Sequence, residues 1–194
     1  MNAFLISSST VALAEMGDKT QLLAFLLASR FKRPIPIILG ITLATLINHG
    51  FAGSIGAWLS NLVSPDILRW ILGISFIAMA IWMLIPDKLE AEKISFSSRF
   101  GVFGVTCLTF FLAEMGDKTQ IATIAMAARF DQTALVILGT TAGMLIANIP
   151  SVFLGEKFAH HFSPKLIHTI AASIFILLGI ATLFEVDKLF GGLF

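Results

Sequence analysis

The stretch Leu13-Ala14-Glu15-Met16-Gly17-Asp18-Lys19-Thr20-Gln21 recurs without a change as Leu112-Ala113-Glu114-Met115-Gly116-Asp117-Lys118-Thr119-Gln120. The shift is 99 residues, and it holds without a gap well beyond the motif. Arg30-Phe31 matches Arg129-Phe130, Gly40 matches Gly139, and Thr42 matches Thr141. Further on, Gly56 pairs with Gly155, Ser64-Pro65 with Ser163-Pro164, and Phe76 with Phe175. Nine consecutive identities among charged, small and polar residues are not a product of apolar composition. The chain is an internal duplication.

The units repeat in an apolar background. Of 194 residues 57% are hydrophobic and 13% charged, with a net charge of +1, and the mean hydropathy is +0.91. A soluble domain carries roughly a quarter of its residues charged, so this chain lacks the polar groups to coat itself in water. It reads as an all-α membrane protein, with the lipid bilayer as its solvent. Near-neutral charge without a basic run excludes nucleic acid as a partner. The single cysteine, Cys107, sits in an apolar stretch, rules out an internal disulfide framework and reads as a small core residue. Met1-Asn2-Ala3-Phe4 has no basic n-region, and Glu15 and Asp18 interrupt the apolar run behind it. The N-terminus is expected to be a retained membrane helix, not a cleaved signal peptide.

Charge-free runs extend from Pro34 to Pro65, Trp70 to Pro86, Gln132 to Gly155 and Leu166 to Phe184. Each approaches or exceeds the roughly 17–25 residues of a spanning helix. Asn2 to Ser29 and Phe100 to Ala128 are long enough too, but carry charges in their middles. Six transmembrane helices are expected, as two three-helix repeats over 1–86 and 100–194 joined by a cytoplasmic linker, 87–99, in one integral-membrane domain. Three is odd, so the second repeat enters the membrane in the opposite orientation, the inverted-repeat plan of many secondary transporters. Pro34, Pro36, Pro65, Pro86 and Pro164 fall at span boundaries. Pro150 falls inside a span and is expected to kink it or free a carbonyl. Loops one, three and five carry Arg30, Lys32, Arg33, Lys88, Lys93, Arg99, Lys157 and Lys165, against Arg69, Arg129 and Lys188 opposite. The positive-inside rule then puts those loops in the cytoplasm and both termini outside. Trp58, Trp70 and Trp82 fall near span ends as interface anchors.

The repeated motif carries the chemistry. Glu15 and Glu114 each lie 15 residues from the arginines at the span ends, near mid-membrane. On a continuous helix, Glu and Asp at i and i+3 share a face, with Lys at i+4 beside them. Gly17 and Gly116 are expected to let another helix or a ligand approach the backbone. One central charge costs roughly 2.5–3.5 kcal/mol on insertion scales, so six isolated ones would cost on the order of 15–20 kcal/mol. They must face each other across the repeat axis or line water. A structural lock is the competing reading, but apolar residues would build one without the desolvation penalty. Glu15, Asp18, Glu114 and Asp117 with Lys19 and Lys118 leave a net −2, which one divalent cation or two protons neutralise. Those carboxylates, the amides of Gln21 and Gln120 and the hydroxyls of Thr20 and Thr119 are hard oxygen donors suited to Ca²⁺, Mg²⁺ or Mn²⁺. Competition between a divalent ion and protons for one carboxylate set is already an exchange mechanism. Lys19 and Lys118 are candidates to replace the metal's charge when the site is empty.

The paired Glu-x-Gly-Asp-Lys-Thr motifs, Glu15 to Thr20 and Glu114 to Thr119, resemble the hallmark of the Gdt-type cation transporters. That family includes Golgi manganese/calcium transporters and bacterial manganese exporters, and is grouped with the lysine-exporter superfamily. The resemblance covers essentially the whole chain, in a compact form without the extra N-terminal helix and long acidic linker of many eukaryotic members. It implies cation–proton antiport, with Mn²⁺ or Ca²⁺ exported from the cytoplasm, and carries the family's acidic residues to Glu15, Asp18, Glu114 and Asp117 as metal ligands. It also implies a multi-pass protein of a bacterial inner membrane.

Other polar residues within spans extend the candidate site. Thr42, Thr45 and Asn48 form a stripe on the second span; Thr141, Asn148 and Ser151 recur on the fifth. They are either further ligands and outer donors or interhelical hydrogen bonds. His49 aligns with Asn148 under the shift, as a proton relay or a packing histidine. Met16 and Met115 could offer sulfur, though packing is the plainer reading. His160, His161 and His168 read as solvated or interfacial. No permanently bound cofactor and no enzyme activity are expected, and the partners are the metal ion, protons and lipid, with a second copy of the chain left open. The alternatives are an exporter of a small organic cation such as lysine, a cation channel, or an intramembrane hydrolase. The last needs two close carboxylates sharing a proton, whereas each acid here has a lysine nearby.

Overall fold

The computed structural model describes residues 2–85, 101–154 and 164–185. Among the described residues eight α-helices follow in order: α1 (Asn2–Glu15), α2 (Lys19–Phe31), α3 (Pro34–Leu62), α4 (Pro65–Met83), α5 (Gly101–Glu114), α6 (Lys118–Arg129), α7 (Thr133–Leu154) and α8 (Pro164–Leu183). The expected linker over 87–99, and His160 and His161, lie outside the described residues. Four helices among the described residues are long and apolar enough to cross a membrane, namely α3, α4, α7 and α8, and α1 and α5 are shorter apolar helices.

The first and fourth expected spans are not continuous. Each is two helices, α1–α2 and α5–α6, interrupted at Met16-Gly17-Asp18 and Met115-Gly116-Asp117. The cause is local: Gly17 and Gly116 take φ of +85° and +80°, a left-handed conformation that stops an α-helix and that glycine alone adopts without a Cβ penalty. A Cβ built on Gly116 would meet nothing within 4 Å. That glycine is there for its backbone, not for the close approach its sequence context implied.

Helix starts follow proline chemistry. Pro34 and Pro65 open α3 and α4 in the first turn, where a missing N–H costs nothing. Helix α2 ends on Lys32 in the left-handed conformation, its N–H returning to the Ala28 carbonyl. Pro150 lies within α7, which runs on to Leu154.

The repeats interlock. Helix α1 packs along α7, and its counterpart α5 packs along α3 in the same way, so the opening helix of each unit lies in the other unit. Glycines make both crossings close: a Cβ on Gly139 would stand 2.6 Å from the Phe4 carbonyl, and one on Gly40, 2.9 Å from the equivalent Phe103 carbonyl. Helices α4 and α8 pair, and there Phe76 stacks on Phe175, its own counterpart, with ring centroids 6.3 Å apart. Cys107 is half-buried and packs against the cluster of Leu23, Leu27, Ile37 and Phe110. Outward faces of the long helices are apolar: Phe51 and Trp58 on α3, Ile74 and Ile81 on α4, Phe153 on α7 and Leu177 on α8 are all exposed. So continuous an apolar surface is a lipid-facing one.

Candidate cation site

Both helix breaks are built alike. The N–H of Lys19 donates to Asp18 Oδ1 at 2.6 Å, and that of Lys118 to Asp117 Oδ1 at 2.8 Å. Each aspartate thereby caps the helix that follows it, with its charge at the positive end of the helix dipole. The glycine N–H left over at each break donates to a glutamine, Gly17 to Gln21 Oε1 at 3.0 Å and Gly116 to Gln120 Oε1 at 2.7 Å. The glutamines also reach across the molecule: Gln21 Nε2 donates to the Ala147 carbonyl at 3.0 Å, and Gln120 Nε2 to Asn48 Oδ1 at 3.5 Å. Asn48 in turn donates to the Phe111 carbonyl at 3.1 Å.

The charges pair between repeats, not within them. Lys19 Nζ stands 3.5 Å from Asp117 Oδ2, and Lys118 Nζ stands 3.7 Å from Asp18 Oδ2. The single helix face carrying Glu, Asp and Lys of one motif does not exist, because the break separates the glutamate from the other two. What joins them is the contact of α1 with α6 and of α2 with α5. Glu15 and Glu114 end their helices and are fully buried. Glu114 Oε2 accepts from the Thr119 hydroxyl at 2.9 Å. Neither oxygen of Glu15 has a hydrogen-bond donor, and the buried Thr20 hydroxyl has no partner either. Buried, unsatisfied and at the negative end of its helix, that carboxylate calls for a cation or a proton. Among the described residues no three His, Cys, Asp or Glu side chains converge as a ready metal cage.

Thr45, His49, Thr141, Asn148 and Ser151 are buried. Both ring nitrogens of His49 lack partners, as does Asn148 Oδ1, while Asn148 Nδ2 donates to the Met144 carbonyl. Thr42 returns its hydroxyl to the Ile38 carbonyl at 2.7 Å and is an ordinary helix residue. Met115 is exposed at its break. Sequence reasoning missed a second polar cluster: Arg69 Nη1 meets Glu185 Oε1 at 3.0 Å, and Arg129 Nε donates to Thr182 Oγ1 at 3.1 Å. Arginines at helix ends carry no distinguishing signal, so nothing in the sequence pointed to it.

Apolar helices packed with two broken ones, and opposite charges paired across the breaks, are the build of a membrane transporter. The chain belongs to the GDT1 family, described as divalent cation/proton antiporters, whose family model matches residues 3–91 and again 102–189. The two matches start one repeat shift apart. The chain is 51% identical over 185 residues to a Vibrio cholerae protein named "Putative manganese exporter", covering 95% of this chain and 92% of that one. It is 24% identical to GDT1-like protein 5 of Arabidopsis thaliana, covering 94% and 96%. With GDT1-like protein 4 of Oryza sativa subsp. indica it shares 27%, covering 90% and 70%. No solved structure matches.

Proposed function

We propose that the protein exports a divalent cation from the cytoplasm in exchange for protons, with Mn²⁺ as first substrate and Ca²⁺ as second. Glu15, Asp18, Glu114 and Asp117 supply the ligands; Lys19, Thr20, Gln21, Lys118, Thr119, Gln120, Asn48, His49 and Asn148 surround and couple them. The observation that carries this reading is the buried Glu15 carboxylate without a donor, set beside two lysine–aspartate pairs that cross between repeats. Family membership supports the cation and the proton, and the name of the Vibrio relative supports manganese and export.

The topology proposed with it is six spans in two inverted repeats, with α1–α2 and α5–α6 each forming one broken span. Discontinuous helices meeting at mid-membrane are how transporters expose backbone and side-chain ligands to a cargo. The grouping of Arg69, Arg129 and Glu185 on one face supports this arrangement, since alternating spans put the start of α4 and the ends of α6 and α8 on one side. Loop charge puts that side outside the cytoplasm of a bacterial inner membrane, with both termini.

Exchange follows from charge. Without metal, Lys19 and Lys118 hold the aspartates of the opposite repeat; a divalent ion neutralises the −2 of the set and loosens both pairs. Protonation removes anionic ligands, so metal affinity falls as pH falls. Coupling requires that the protonated set, and not the bare −2 one, changes sides. In proteoliposomes at clamped voltage, Mn²⁺ efflux should accelerate when the receiving side is acidified, with protons moving counter to metal. Metal flux that ignores the pH gradient and moves no protons overturns antiport.

A further inference from the structure

The two halves match by sequence but not by burial. Lys118 is sealed, with 2% of its side chain exposed, whereas its counterpart Lys19 is 38% exposed. Eight of the twelve residues of α6 are buried, against five of thirteen in α2. Helix α6 packs on α4, and α2 makes no comparable packing on α8, the counterpart of α4. A lysine partly exposed at mid-membrane costs too much to face lipid, so the opening at Lys19 is aqueous. Helix α6 fills the half-membrane between its break and the face of Arg69, Arg129 and Glu185; α2 fills the half leading to Arg30, Lys32 and Arg33. Among the described residues, one half is shut and the other is not.

The shut half carries the second polar cluster. Arg129 closes α6 and donates to Thr182 of α8, while Arg69 of α4 pairs with Glu185 one turn further on. The N–H of Glu185 folds back to the Thr182 carbonyl at 3.4 Å, with Glu185 in the left-handed conformation at φ +50°, so both contacts hang on one structured helix end. At the positions 99 residues earlier, Thr182 is answered by Met83 and Glu185 by Pro86, and Arg69 is answered 99 residues later by His168. Methionine and proline side chains form neither contact, so this chemistry is encoded on one face.

We propose that Arg129–Thr182 and Arg69–Glu185 form a one-sided latch that ties α6 and α4 to the end of α8 and keeps the cation site closed toward that face while the α2 side stays accessible. The latch makes a nearly symmetric machine rest in one of its two access states, and opening toward the Arg69 face requires both contacts to part. The proposal rests on the two-faced transporter reading above. Its test registers opening with no metal present, so a failed flux assay and a failed latch are separate results.

The test uses full-length protein in nanodiscs, in a Cys107→Ala background. One reporter is Ala125→Cys, buried on α6; a control reporter is Ala44→Cys, buried on α3. A charged methanethiosulfonate should modify Ala125→Cys slowly, and about tenfold faster once Thr182→Val and Glu185→Gln are added. Ala44→Cys should keep its rate. Spin labels on Asp131→Cys, just past α6, and Phe184→Cys, at the end of α8, both exposed, give a second readout that should shift to longer distances in the same variants. Unchanged labelling with an unchanged distance distribution overturns the latch, as does an equal rise at both reporters, which signals general loosening.

Discussion

Asp18 and Asp117 divide their work between two oxygens. Oδ1 caps a helix, and Oδ2 faces a lysine of the other repeat. Asparagine caps a helix about as well as aspartate, so Asp18→Asn and Asp117→Asn remove charge while leaving the break intact. Asp117→Asn faces the partly exposed Lys19 and should insert and fold normally, whereas Asp18→Asn removes the carboxylate facing the sealed Lys118 and should melt lower. The Mn²⁺ flux of both should drop to that of protein-free vesicles, and parental flux in either excludes that carboxylate as a ligand. Lys19 and Lys118 each face a buried aspartate of the other repeat. Lys118→Met and Lys19→Met each remove the cation facing a buried carboxylate and should each cost about 3–5 kcal/mol. Thermal melting of the purified variants reads that loss, and a parental melting temperature in either would contradict a stabilising role for its pair.

At the scale of elements, the broken helices were half legible. The motif, its repetition and its depth stand in the sequence, and Gly17 and Gly116 were visible in it. Reading Glu, Asp and Lys as one helical face failed because an apolar run with a single glycine looks continuous, and only the positive φ shows the stop. That the charges meet across the repeat axis was expected, but the pairing of each lysine with the aspartate of the other repeat was hidden, since both partners recur within each motif at helical spacing. By contrast α3, α4, α7 and α8 follow from charge-free length and boundary prolines. The glycines can be told apart by substitution. Gly116→Ala has room but the wrong φ, and should cost about 1–2 kcal/mol. Gly116→Asn should be milder, because asparagine visits the left-handed region more readily. Gly139→Ala pushes a Cβ to 2.6 Å from the Phe4 carbonyl and should separate α7 from α1. If Gly116→Ala and Gly116→Asn melt at the parental temperature, the break is not held by glycine's backbone.

For the whole molecule, the interlocked packing makes each repeat an incomplete body. Helix α1 finds its main partner in α7, and α5 in α3, so 1–86 expressed alone exposes the glycine face of α3 and the polar motif to lipid. Residues 1–86 and 87–194 should each be degraded when made singly and accumulate together when co-expressed, with Mn²⁺ flux restored. A half that is stable and monodisperse by itself would refute the interlock. The stack of Phe76 on Phe175 adds a different kind of consequence. A residue touches its own counterpart only on a two-fold axis, where an interface is isologous and its two sides are the same surface. Two separate copies of one such unit, threaded through a bilayer in opposite senses, would make that contact between identical phenylalanines. The seam between the halves thus has the geometry of a homodimer interface, and a single ancestral gene encoding one dual-topology chain would already specify both sides of it.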